Sequence, residues 1–212
     1  MNKFIYILFL FLINSSLTFS QENEKRVYEI SVINQPQTIE LIEYENGEYA
    51  GHVITEIRKG KWRTGWLNRS WRNLWKIESK DIIDKSPVNE KAVKKLMSEL
   101  KENGIETIKK CSDDEECNKH MYLDGGSVEF KIKTSETERA YGFEEIFPLN
   151  EKNKEKIELR FKAQNLITIL YKHIDLKQNF SDLFKRLPRG YYNWYQASGH
   201  SIVTIKNRKQ KE

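Results

Sequence analysis

Cys111 and Cys117 are the two cysteines of this chain, and the stretch "CSDDEEC" that they bound holds four consecutive acids, with His120 and Asp124 close behind. Thiol, imidazole and carboxylate together are the ligand types of a metal site, while an even pair of thiols is the material of a disulfide or a redox couple. Spacing separates these readings. Structural zinc sites place their cysteines two to four residues apart, whereas five residues intervene here. A calcium loop alternates its oxygen ligands around a central glycine, but Asp113, Asp114, Glu115 and Glu116 are consecutive. A redox pair favours C-x-x-C, and neighbouring carboxylates would raise a thiol pKa instead of lowering it. A disulfide between Cys111 and Cys117 is therefore the expectation. By the chain-entropy relation so small a ring contributes roughly 2 kcal/mol. No metal and no cofactor are expected.

Two other clusters could carry chemistry. The stretch "KGKWRTGWLNRSWRNLW" sets Trp62, Trp66, Trp71 and Trp75 among Lys59, Lys61, Arg63, Arg69 and Arg72. Rings interleaved with cations can stack on sugars or bases, or rest at a lipid headgroup layer. The competing reading is packing, because Leu67, Trp71, Leu74 and Trp75 fall on one face of a short helix, from which the arginines would reach outward. The second cluster, "LPRGYYNWYQASGHS", places Tyr191, Tyr192, Trp194 and Tyr195 before His200 and Ser201 and could line a pocket or seal the end of a sheet. Binding candidates are thus Trp62, Trp66, Trp71, Arg63, Arg69, Tyr192 and Trp194. Asn68-Arg69-Ser70 also matches a glycosylation sequon, a pattern common by chance.

No nucleophile elbow, H-E-x-x-H pair or glycine-rich phosphate loop occurs. An enzymatic alternative remains, a hydrolase whose polar residues meet only in three dimensions, for instance His200 or His120 with Asp124, Glu144 or Glu145.

The N-terminus bears on where such residues work. Lys3 precedes an apolar run from Phe4 to Ile13, and small residues at Thr18 and Ser20 suit a signal peptidase, so residues 1–20 read as a signal peptide cleaved between Ser20 and Gln21. Loss of Lys3 takes 36 basic residues to 35 against 31 acids, a net charge of +4. That excess is spread along the chain and not gathered on one helix, so no nucleic-acid partner is expected. No second apolar segment follows, and the mature chain is expected to have no transmembrane span. Secretion or a periplasmic location follows. A single domain over residues 25–206 and a basic, frayed tail at 207–212 are the simplest division.

The elements that must position the candidates read as blocks. "RVYEISVI", "QTIELIEY" and "YAGHVITEI" are strand-like, the last two joined at Asn46-Gly47 in a hairpin expected to use a type I′ turn. Val88, Ala92, Leu96 and Leu100 recur at helical spacing, predicting a helix over about 87–103 that begins at Pro87 and stops at Asn103-Gly104. "SVEFKIK" alternates strictly and pairs with residues 138–143. Two further helical stripes span 159–174 and 180–187, and a strand at 201–206 ends the fold. Strands and helices without regular alternation predict an α+β fold: an antiparallel or mixed sheet of two hairpins and a C-terminal strand, with about three helices packed on it.

The runs "LKENGIETIKKC", "YLDGGSVEFKI", "RAYGFEEIFP" and "LPRGYY" resemble small exported bacterial proteins with no assigned activity, over most of the mature chain. That resemblance implies a single exported domain and carries over no catalytic residue. The functional expectation is a non-enzymatic binding or interaction module, with a glycan or envelope component as its partner and the aromatic and basic surface as its means.

Overall fold

The computed structural model describes residues 23–60, 80–119, 126–196 and 199–205. The residues read as a signal peptide, the tryptophan-rich stretch from Lys61 to Trp75, His120, Asp124 and the residues read as a basic tail lie outside the described residues.

The fold is α+β, and an antiparallel sheet of eight strands forms its frame. In chain order the elements are β1 (Glu24–Ser31), β2 (Gln37–Tyr44), β3 (Tyr49–Gly60), β4 (Lys80–Pro87), α1 (Glu90–Glu102), a 3₁₀ turn (Cys111–Asp113), the short α2 (Glu115–Asn118), β5 (Ser127–Thr134), β6 (Glu138–Glu144), α3 (Glu158–His173), α4 (Leu176–Arg186), β7 (Gly190–Gln196) and β8 (Gly199–Ile205). The sheet order is β6-β5-β1-β2-β3-β7-β8, with β4 also on β3. The alternation of "SVEFKIK" becomes a wet face of Glu129, Lys131 and Lys133 and a buried face of Val128, Phe130 and Ile132.

Local signals set the ends of the elements. The hairpin at Asn46-Gly47 forms, but Gly47 alone takes a positive φ, +85°, after a turn closed by its N–H on the Tyr44 carbonyl. This is a three-residue loop with a left-handed glycine in place of the expected type I′ turn. Helix α1 starts at Glu90 and not at Pro87. Pro87 ends β4 opposite His52, the Val88 N–H is held by the Gly51 carbonyl, and the Asn89 side chain accepts from the N–H groups of Lys91 and Ala92. An asparagine that satisfies two orphan donors is the stronger start signal. The predicted stop at Asn103-Gly104 is found, with Gly104 at φ +82°.

Packing divides into two cores on one face of the sheet. The larger joins β1, β2, β5 and β6 to α1 and α3 through residues such as Tyr28, Ile30, Leu41, Leu96, Phe130 and Leu166. Each fully buried side chain of this kind contributes roughly 1.5–3 kcal/mol relative to exposure. The smaller joins the far half of β3 to α4, β7 and β8 through Ile57, Leu183, Tyr192 and Trp194. At the rim of the larger core, Arg26 bridges Glu43 and Glu106, and the Tyr28 hydroxyl donates to the same Glu106 at 2.6 Å.

Candidate functional site

The geometry of β3 produces the main cleft. Its first half, Tyr49 to Thr55, pairs with β2, and its last residues, Arg58 to Gly60, pair with β7. β4 runs along the opposite edge from His52 to Lys59, so β2 and β7 follow one another along a single edge of β3. Between them the sheet forks. Pro36 ends the β2 ladder: its carbonyl accepts the Glu56 N–H at 2.9 Å, but a proline has no N–H to return to the Glu56 carbonyl. Asn34, in a left-handed conformation at φ +57°, turns the chain away beneath it.

The fork opens into a cleft of about 580 Å³. Its outer lip carries Glu56, Arg58, Asp81, Ile83 and Asn193, and its inner wall carries Gln37, Ile57, Ile82 and Trp194. Arg58 is tied to Asp81 at 3.0 Å, and Ser31 and Thr38 share a hydroxyl contact at 3.2 Å. Gln37 is only 2 % exposed. Its amide nitrogen donates to the Leu176 carbonyl and to Asn179 Oδ1, which fixes the start of α4 against the cleft wall. Its Oε1, the Trp194 Nε1 and the Thr55 Oγ1 are buried with no hydrogen-bond partner among the described residues. An unsatisfied buried polar atom costs about 1–3 kcal/mol; of these three residues Gln37 and Trp194 line the cleft and Thr55 does not.

The sequence-derived candidates distribute unevenly around this cleft. Trp62, Trp66, Trp71, Arg63 and Arg69 lie outside the described residues. Tyr192 and Trp194 sit on strand β7 and not on a loop, and both are buried, at 0 % and 8 % exposure. Tyr192 donates to the Pro188 carbonyl at 2.7 Å, and burial pushes its phenol pKa up. Trp194 packs edge-on to Phe180, with ring centres 5.2 Å apart, and reaches the cleft from inside. Period-two alternation of Tyr192 and Trp194 with Tyr191 and Asn193 was the available signal for a strand. Gln37 and Thr55 carry a comparable signal, as polar residues at core positions of "QTIEL" and "VITEI", yet neither stood out as a candidate.

Cys111 and Cys117 form the disulfide, with Cα atoms 5.2 Å apart. Cys117 is buried in the larger core, while Asp113, Glu115 and Glu116 face solvent and Asp114 caps α2 by accepting the Cys117 N–H. A second cavity of about 250 Å³ lies beside the bridge and brings Glu144 near Arg160, whose guanidinium is held by Glu155 at 2.9 and 3.0 Å. No histidine lines either cavity among the described residues. His52 pairs with Glu40 at 3.3 Å and His173 with Glu99 at 3.1 Å, both away from these cavities. Among the described residues no three His, Cys, Asp or Glu side chains converge as a metal site, and no helix is long and apolar enough to cross a membrane.

Neither a protein-family model, nor a curated protein, nor a solved structure gives a significant match to this chain.

Proposed function

We propose that the chain is an exported, non-enzymatic binding module, active over about residues 25–206 at the bacterial envelope or exterior, with the cleft at the fork of β3 as its ligand site. The observation that carries this reading is the cleft itself, a mixed cavity in which the apolar side chains of Ile57, Ile82 and Trp194 meet the polar side chains of Ser31, Thr38 and Asn193. Its volume falls within the range of small-molecule pockets. Hydroxyl groups, which both donate and accept, suit the Asn193 amide and the Ser31 and Thr38 hydroxyls together, and so favour a saccharide unit of an envelope glycan. The disulfide supports an oxidising compartment. Trp62, Trp66, Trp71, Arg63 and Arg69, which lie outside the described residues, are proposed as further binding residues on the strength of their aromatic and basic pattern.

The test is a thermal-shift and fluorescence titration of the full chain with glucose, N-acetylglucosamine and glucosamine, alongside vesicles of phosphatidylglycerol. Saccharide should raise the melting temperature of the wild type. Thr38→Ala and Asn193→Ala, which remove polar groups from the lining, should each weaken that response about fivefold or more. No response to any saccharide, or a response that both variants leave intact, overturns the cleft as the site.

A further inference from the structure

The balance of donors and acceptors around the cleft says more about the ligand than its size does. Arg58 is the one cation among the described lining residues, and Asp81 already neutralises it at 3.0 Å. Glu56 is left as the uncompensated charge of the described lining, exposed on the outer face of β3. The Glu56 carbonyl also receives nothing from Pro36. Gln37 and Gln35 are committed donors: both Gln37 donor contacts go to the start of α4, and the Gln35 amide nitrogen donates to the Tyr171 hydroxyl at 3.1 Å. Ile57, Ile82, Ile83 and Pro36 supply apolar surface for a ligand body between these polar points.

We infer that this cleft selects a protonated amine, a saccharide-sized ligand carrying a primary ammonium group that the Glu56 carboxylate holds at the lip. The inference rests on the cleft being the binding site. An ammonium brings three donors and no acceptor, which matches the open acceptors of the Glu56 carboxylate. Its hydrogen bond to a carboxylate is charge-assisted, hence about twice as strong as a neutral one. An acidic ligand would meet Glu56 with like charge and find Arg58 already engaged, so it should be rejected.

Calorimetric titration of the full chain with glucosamine, glucose and glucuronate, below neutral pH where the amine is protonated, tests this. Glucosamine should bind about tenfold or more tightly than glucose, and glucuronate most weakly. Glu56→Gln, an exposed and nearly isosteric change, should erase the advantage of glucosamine and leave glucose unchanged. Added salt should reduce the wild-type preference but not the affinity of the variant. Equal affinity for glucosamine and glucose, a preference for glucuronate, or a glucosamine preference that survives Glu56→Gln overturns the amine inference while the cleft reading stands. No binding by any of the three overturns both.

Discussion

Glu43 shows how far single side chains are tuned by their neighbours. Burial by itself would push its carboxyl pKa up, but the hydrogen bond from Lys25 and the charge of Arg26 outweigh it and hold the value below the ordinary one. A carboxyl depressed in the folded state stabilises in full above its unfolded pKa of about 4.3, and that stabilisation is lost as pH falls through the folded value. The urea midpoint of the wild type should therefore drop on acidification through this window. Glu43→Gln should be less stable near pH 7 and flatter below pH 4.3; parallel curves for the two proteins would remove Glu43 from the acid response. Nearby, burial and the hydrogen bond to Glu106 push the Tyr28 phenol up, so Tyr28 stays a neutral donor at ordinary pH. The cleft is built on the same scale, since Pro36 withholds one N–H and Gln37 spends its donors on α4.

At the scale of elements, α1 lies directly over β3. A Cβ on Gly51 would meet Val93 Cγ2 at 2.6 Å and Leu41 Cδ2 at 3.3 Å, so the crossing needs a residue without a side chain. Gly51→Ala should cost roughly 1–3 kcal/mol by overpacking. Val93→Ala should cost a comparable amount by leaving a cavity, and the double variant should lose distinctly less than the sum. Strict additivity in denaturant unfolding would place the helix elsewhere. Strand β4 has a different importance, because it runs past the gap and holds the two halves of β3 in one ladder from His52 to Lys59. Without a continuous strand on that edge, the fork would be a hinge and not a wall.

Across the whole molecule, one sheet serves two unequal cores. Among the described residues the larger collects 28 buried side chains, and the smaller is centred on Ile57, Leu183, Tyr192 and Trp194. Local opening follows the extent of apolar burial, so amides of β7 and β8 should exchange with deuterium well before those of β1, β2 and β5. A ligand in the proposed site would lie against Asn193 and Trp194 from β7, and its binding should slow exchange in β7 selectively. Uniform exchange across the sheet would show that the cores open together and that the fork is no boundary.

What the sequence determines by itself is what local physics reads. Alternation in "SVEFKIK", the spacing of Ala92 to Leu100, the αL glycines 47 and 104, and an even cysteine pair each act within about ten residues, and each is found in the structure. The aromatic run at Tyr191 to Tyr195 was ambiguous because loop and strand readings share the same residues. Tertiary packing resolved it by burying Tyr192 and Trp194 against α4. The cleft was not legible at all, since it depends on where β2 stops and β7 begins along one edge of β3, separated by about 150 residues of chain. Gln37, Glu56, Arg58 and Asn193 form no motif. Only pairing register, which links positions distant in sequence, brings them to one opening.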